Sequence, residues 1–126
     1  MESVAPERGE GKRGRRSNQV EERVPPVLSA ERAAAVRLLK PFLKAVGDIN
    51  RIAVLQELNR EGDNGLNVQD LSDRLMLSQP LTSWHLHILK RARLVTVAHL
   101  GRQRIYRLDR ERVGEHRKLF DWVMDF

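Results

Sequence analysis

The fold is decided by two adjacent segments, SQPLTSWHLHILKR at residues 78–91 and LVTVAHLGRQRIYRL at residues 94–108. The first predicts a helix, because Ser78 is a favourable N-cap and Pro80 is tolerated in the first helical turn. The second predicts a β-hairpin, because Gly101-Arg102 separates two runs that are rich in β-branched and apolar residues. The first expectation is therefore a helix that leads at once into a hairpin.

A shorter helix is expected immediately before this pair. Asn67 can cap it, Asp70 stands at its third position, and the predicted span is Val68–Leu75. Two short helices with a tight connection, followed by a hairpin, predict a winged helix-turn-helix. Such an arrangement suits DNA, because a helix fits the major groove and a basic hairpin beside it can lie on phosphates or in the minor groove.

The flanking regions predict further helices. One begins after Ser29 and has a broad apolar face, and Pro41 within it predicts a kink or a restart. A second spans about Ile49–Asn59, and the last runs from an Asp109 cap to the C-terminus. With Leu66 as a very short extended piece, the predicted fold is mostly α with a small β-hairpin, an α+β winged helix-turn-helix.

The N-terminal part has a different composition. Residues 1–28 are rich in Gly, Pro, Arg and Glu and predict a disordered tail, whereas residues 29–126 predict the folded domain. The tail contains GEGKRG at residues 9–14, which matches the dinucleotide-binding fingerprint, but no predicted strand precedes it and we interpret the match as a coincidence. Its clustered cations are interpreted as solvated, with phosphate contacts as the alternative: Lys12, Arg13, Arg15 and Arg16.

The positive charge is concentrated in one segment. The chain has a formal net charge of +6 and a pI of about 10.5. Residues 78–118 contain ten basic and three acidic side chains, a net of +7. A polyanionic partner is therefore expected for the predicted helix and hairpin.

Length and composition exclude several classes of protein. The 126 residues suffice for one domain, and a core of this size is often completed by dimerisation. The absence of cysteine excludes disulfides, thiolate metal sites and cysteine nucleophiles, and it suits the cytoplasm. The longest stretch free of formal charge, Leu75–Leu89, is too short and too polar to span a bilayer, so no membrane partner is expected.

The predicted helix over residues 78–91 has two faces. Thr82, His85, Leu86 and Leu89 should face the core, which leaves polar groups near its N-terminus and cations near its C-terminus outward, as a groove-reading helix requires. The alternative is an ordinary amphipathic helix with a solvated face. The predicted DNA contacts are Gln79, Pro80, Ser83, Trp84, His87, Lys90 and Arg91 on the helix and Arg102 and Arg104 on the hairpin.

Several of these segments together resemble the ArsR/SmtB family of winged-helix repressors. The matching residues are KAVGDINR at 44–51 with Ile52 and Leu55, residues 71–77, LSQPLTSWHL at 77–86, Leu94-Val95, and GRQRIYRL at 101–108. The resemblance covers roughly residues 40–110. It implies a transcriptional repressor that binds an inverted-repeat operator as a homodimer.

Two positions depart from the family pattern. Arg93 stands where the family usually has a glycine, and a left-handed turn there would strain an arginine, so a different local connection is expected. Thr82 stands where a core valine or similar residue is usual, so looser or hydroxyl-bonded packing is expected.

The resemblance also implies dimerisation through the first and last helices. The sequence supports this independently, because six of the last eight residues are apolar and the first helix is too apolar for a small domain to cover. The alternative is that the last residues pack on their own domain. The predicted interface residues are Leu39, Phe42, Leu43, Phe120, Val123 and Met124.

No cofactor is expected. The family's cysteine metal sites and its paired histidines on the last helix have no counterpart here, which leaves His116 and Glu115 as weak candidates for a nickel or zinc site. An organic effector or no effector at all is the favoured prediction. His85 is expected to be a half-buried, satisfied residue and His99 a surface residue.

No arrangement of residues suggests an enzyme, because Ser83 has no base placed for it and no pair of carboxylates has a catalytic spacing. A protein-interaction winged helix is a further alternative, although the basic hairpin argues against it. The prediction is a cytoplasmic, homodimeric, sequence-specific DNA-binding regulator, most simply a repressor, with an unknown effector.

Overall fold

A computed structural model describes residues 23–126. The predictions for the GEGKRG motif and for the four tail cations concern residues outside this range. Within residues 23–33, the backbone N–H of Leu28 donates to the carbonyl of Pro25 (3.0 Å), which closes a turn. The Ser29 hydroxyl then accepts from the backbone N–H of Arg32 (3.1 Å), as predicted for a cap.

The described residues form five α-helices and one hairpin. The elements are α1 (Ala30–Val46), α2 (Ile49–Glu61), a 3₁₀ turn (Gly62–Asn64), α3 (Val68–Leu75), α4 (Gln79–Arg91), β1 (Val95–Leu100), β2 (Gln103–Leu108) and α5 (Arg110–Val123). The predicted winged helix-turn-helix, mostly α with a small β-hairpin, is confirmed. No helix in residues 23–126 combines the length and the apolar character needed to cross a membrane.

Two helices differ in extent from what the sequence allowed. Of the kink or restart predicted at Pro41, the restart is absent, because α1 continues through Pro41 to Val46. A proline removes one hydrogen bond, and the bonds on either side suffice to carry the helix past it. α5 ends at Val123 instead of reaching the C-terminus, and the backbone N–H of Met124 caps it by donating to the carbonyl of Phe120 (3.0 Å).

The helix starts are fixed by short polar side chains, as predicted for Asn67, Ser78 and Asp109, while the cap at Asp48 was not predicted. Asp48, Asn67, Ser78 and Asp109 each accept hydrogen bonds from backbone N–H groups in the first turn of the helix that follows. Each cap satisfies donors that have no partner within the helix, and is typically worth about 1 kcal/mol. These local bonds explain why the starts of α2 to α5 follow from the sequence.

One apolar core joins α2, α3, α4 and the hairpin. Its fully buried members include Val54 and Leu58 of α2, Leu71 of α3, and Leu86 and Leu89 of α4. Buried residues from the end of α1, the hairpin and the connecting segments complete this core: Ala45, Leu66, Ala92, Leu94, Val95 and Tyr106. The core therefore fixes α4 and the hairpin relative to each other.

The hairpin is antiparallel, and a single residue outside it forms an additional backbone bridge with β2. Val95 pairs with Leu108 at its base and Leu100 with Gln103 at its tip. Leu66 forms an isolated bridge with Tyr106, with N–O distances of 3.0 and 2.8 Å, which matches the short extended piece expected there. Gly65 has a φ of 69°, and a Cβ at this position would lie 2.7 Å from the Tyr106 carbonyl, so the bridge requires glycine.

The connection after α4 keeps a left-handed residue despite the arginine. Arg93 has a φ of 62°. Its N–H donates to the carbonyl of Lys90 (2.9 Å), and the N–H of Leu94 donates to the carbonyl of Leu89 (2.9 Å), the two bonds of a Schellman motif. The prediction that the backbone would avoid a left-handed turn at Arg93 was therefore wrong. The two hydrogen bonds and the burial of Leu94 stabilise the turn.

Candidate nucleic-acid interface

The inner face of α4 is anchored by apolar and polar groups. Thr82, His85, Leu86 and Leu89 are all buried, as the helical period predicted. The hydroxyl of Thr82 donates to the carbonyl of Ser78 (2.9 Å), so the departure from an apolar residue is accommodated by a hydrogen bond, as expected. The face of α4 that carries the predicted contacts is therefore turned outward.

His85 is held by an arginine from another helix. The Nη1 of Arg51 lies 3.3 Å from the Nδ1 of His85. A guanidinium only donates, so Nδ1 accepts and a neutral imidazole carries its proton on Nε2. That atom is buried and has no partner among the described residues. His85 is therefore buried rather than half-buried, and only one of its two ring nitrogens is satisfied.

The predicted contacts on α4 separate into two sets. Ser83, His87 and Lys90 line a cleft between α4 and the hairpin, with a volume of about 260 Å³, and Arg104 and His99 line it from the hairpin side. No carboxylate lines this cleft. Trp84 and Arg91 instead face α1, and the Trp84 ring lies 5.8 Å from that of His87 in a stacked arrangement.

The cations of the hairpin also differ from one another. The side chains of Arg102 and Arg104 are exposed and make no ion pair or hydrogen bond among residues 23–126. By contrast, the Nε of Arg107 donates to the carbonyl of Asp63 (2.6 Å), which anchors this side chain against the 3₁₀ turn. Arg110 similarly donates to the side chain of Asn59 (2.5 Å). Only part of the basic segment is therefore available to a partner.

At the N-terminus of α4, Gln79 and Pro80 are exposed, as predicted. The Nε2 of Gln79 donates to the side-chain oxygen of Gln69 on α3, and the Nε2 of Gln69 donates to Asp73 (3.1 Å). This polar chain orients Gln79. Gln69 was not among the residues predicted from the sequence, where its position one residue inside the start of α3 is the one signal that points to it.

The predicted interface residues differ in exposure. Leu43, Phe120 and Met124 are exposed, and Phe42 and Val123 are partly buried. Leu39 retains only 1% of its accessible surface within a single chain, so it offers no free area. Further exposed apolar side chains lie on the same helices, namely Val36, Leu38 and Trp122.

The weak metal candidates have other partners. The Nε2 of His116 donates to the carbonyl of Ala92 (3.2 Å), and its ring stacks on Phe42 with centroids 4.8 Å apart. Glu115 is exposed and lies 3.6 Å from Arg112. Within residues 23–126, no group of three or more His, Cys, Asp or Glu side chains is placed to hold a metal ion.

Comparison with known proteins agrees with this architecture. Residues 48–97 match the model of the family described as bacterial regulatory protein, arsR family. The chain is 44% identical over 67 residues to the HTH-type transcriptional repressor SmtB of Mycobacterium tuberculosis. This match covers 53% of this chain and 47% of that protein. The chain thus spans about half the length of that relative.

Two further proteins match over most of their length. An HTH-type transcriptional regulator of Methanocaldococcus jannaschii is 37% identical over 80 residues, which cover 64% of this chain and 88% of that protein. A homodimeric winged helix-turn-helix DNA-binding domain from Mycobacterium bovis has a TM-score of 0.60 at 23% identity, with 78% of this chain and 88% of that chain covered, and it shares the fold. The chain belongs to the ArsR family of bacterial regulatory proteins.

Proposed function

We propose that the protein is a sequence-specific DNA-binding transcriptional repressor that acts as a homodimer. In this proposal α4 enters the major groove and the hairpin lies on the flanking backbone or minor groove. The observation that carries it is the cleft between α4 and the hairpin. Its polar and basic lining comes from both elements, and it contains no carboxylate that would repel a phosphate.

The division of roles follows from position along α4. Gln79 and Ser83 lie one turn apart near the N-terminus, where side chains of a groove-bound helix reach base edges. Lys90 and Arg91 lie in the last turn and Arg102 and Arg104 at the hairpin tip, where long cations reach phosphates. Trp84 and His87 form a stacked pair between these two groups.

Assembly as a homodimer is supported by the exposed apolar side chains of α1 and α5. A monomer would leave Leu43, Phe120 and Met124 in contact with water. Binding to an inverted repeat would require a two-fold axis that places the two copies of α4 about 34–36 Å apart, the repeat of the major groove on one side of DNA. The related domain from Mycobacterium bovis is homodimeric, which supports the same assembly here.

Selection of bound duplexes from a random pool tests the proposal. The expected result is an enriched inverted repeat whose half-sites are spaced by about one helical turn, roughly 10 base pairs, or a multiple of it. Affinity should fall with salt by about 0.9 log unit per log unit of salt for each phosphate contact. A pool that shows no enriched sequence, or an affinity independent of salt, would contradict the proposal.

A further inference from the structure

A second concave surface lies on the other side of α4, facing α1. It is an open groove of about 590 Å³, within the range of about 300–1,000 Å³ that is typical of small-molecule sites. Arg37, Lys40 and Lys44 line it from α1, and Trp84, Ile88 and Arg91 line it from α4.

The groove is strongly positive. Its lining includes five cations and no carboxylate. One of them, Arg51, is used structurally, because its guanidinium donates to the carbonyls of Ala45 (2.7 Å) and Lys44 (3.4 Å). The side chains of the other four make no ion pair or hydrogen bond with any residue in the described range: Arg37, Lys40, Lys44 and Arg91. An anion in the groove would relieve the repulsion among these four charges.

The floor of the groove is apolar. Pro41, Ile88 and Ala92 form it, and Trp84, which keeps 56% of its surface exposed, forms one wall. A bare phosphate or a DNA backbone uses the cations but gains nothing from this floor. A molecule with a carboxylate and an apolar body uses both, because the charge meets the arginines and lysines while the body covers the indole ring.

We propose that the groove between α1 and α4 binds a small organic anion, a carboxylate with an aromatic or similarly flat apolar body. Because Trp84 and Arg91 also belong to the proposed DNA surface, ligand and DNA compete for the same two side chains. The groove is therefore an effector site at which the ligand lowers DNA affinity. This second part rests on the proposed function, whereas ligand binding itself does not.

The linkage between the two ligands is reciprocal. If the organic anion lowers the affinity for DNA by some factor, DNA lowers the affinity for the anion by the same factor. No movement of the fold is required, since the competition is for two exposed side chains. The site also needs no cysteine, consistent with a chain that has none.

Ligand binding is tested with 1-anilinonaphthalene-8-sulfonate as a fluorescent probe and 1-naphthoate as the competitor. We expect naphthoate to displace the probe, and neutral 1-naphthamide to do so at least about tenfold less well, because it lacks the charge. The Arg37→Ala/Lys40→Ala variant should bind naphthoate about tenfold more weakly or worse. The matched control is Arg117→Ala/Lys118→Ala, which removes the same charge from exposed positions of α5 and should bind as the wild type does.

DNA binding of the same proteins separates the two proposals. Naphthoate should weaken binding of the wild type to its selected duplex, and should do so less for Arg37→Ala/Lys40→Ala, whose DNA affinity without ligand stays unchanged.

Equal naphthoate binding by both double variants, or by the amide and the acid, would overturn the groove proposal. The groove proposal would also be overturned if Arg37→Ala/Lys40→Ala lost DNA affinity and showed a smaller dependence of that affinity on salt, because the groove would then be a phosphate contact. Specific naphthoate binding by a protein that binds no DNA would leave the groove as a ligand site and refute the proposed function.

Discussion

Arg51 and His85, which are 34 residues apart in the sequence, meet at the junction of three helices. Arg51 lies in the first turn of α2. Its Nε and Nη2 donate to the carbonyls of Ala45 and Lys44 at the end of α1, and its Nη1 donates to Nδ1 of His85 on α4. Its side chain keeps only 13% of its surface exposed. One side chain therefore connects the end of α1 to the helix that carries the proposed DNA contacts.

Replacement of Arg51 should be costly. Arg51→Ala leaves the Ala45 carbonyl and the His85 nitrogen without their partner, and we expect a loss of about 2–3 kcal/mol in the free energy of unfolding, measured by urea denaturation. Arg51→Lys should recover little, because a single ammonium cannot reach three acceptors. Arg60→Ala on the exposed face of the same helix is the control, with an expected loss below about 0.5 kcal/mol. Equal losses at the two positions would contradict the junction role.

Ionisation of Asp48 should make part of the free energy of unfolding depend on pH. Partial burial raises the pKa of its carboxyl, but hydrogen bonds from the backbone N–H groups of Arg51 and Asn50, with the charge of Arg51, outweigh this and hold the pKa below the ordinary value of 3.8. A lowered pKa in the folded state stabilises the protein above the unfolded pKa. This contribution is therefore present at neutral pH and is lost as the pH falls below about 4.

The measurement is urea denaturation between pH 7 and pH 3 for the wild type, Asp48→Asn and Asp48→Ala. Asparagine keeps the cap without the charge, so the difference between wild type and Asp48→Asn should shrink as the pH falls. Asp48→Ala also loses the cap and should cost about 1 kcal/mol more than Asp48→Asn at every pH. A difference between wild type and Asp48→Asn that is constant with pH would refute the assignment.

Arg93→Gly should stabilise the fold. A left-handed conformation costs a residue with a Cβ about 1–2 kcal/mol, and glycine avoids this at the expense of a more flexible unfolded chain. We expect a net gain of about 0.5–1 kcal/mol in thermal or urea unfolding. Ala92→Gly is the control, since Ala92 has an ordinary φ of −81° and glycine there should destabilise. A loss of stability in both variants would show that the Arg93 side chain itself contributes.

Base and phosphate contacts should respond differently to substitution. Gln79→Ala or Ser83→Ala should cost about 1–3 kcal/mol on the selected duplex with little change on random DNA. Arg102→Ala should weaken binding to both alike and reduce the salt slope by about one. Fluorescence anisotropy at several salt concentrations measures both, with Arg60→Ala as the control outside the interface. Equal losses on both kinds of DNA for Gln79→Ala and Ser83→Ala would refute the assigned face.

The proposed dimer should depend on α1 and α5. Leu43→Glu/Phe120→Glu places carboxylates within the expected interface, and sedimentation velocity should show a monomer because burying unpaired charge is costly. Met76→Glu changes an apolar side chain that is 90% exposed in the turn between α3 and α4, and should remain dimeric. A double variant that sediments as a dimer would place the interface elsewhere.

The sequence by itself determined the elements and the outward face of α4. Caps such as Asn67, Ser78 and Asp109 act within one turn, and the apolar period of α4 shows which side is buried, so both are local properties. The concentration of cations in residues 78–118 was equally visible. These features sufficed to predict the fold and the region of the proposed interface.

The tertiary structure alone decided which polar groups are available. Arg104 and Arg107 are alike in the sequence, but only Arg107 meets the Asp63 carbonyl, because β2 passes beside the 3₁₀ turn. Arg93 adopts a left-handed turn that its type disfavours, since buried Leu94 and two backbone bonds outweigh the strain. The groove between α1 and α4 likewise depends on how two helices, distant in sequence, are packed. Such contacts join residues tens of positions apart, and local propensity and periodicity carry no information about them.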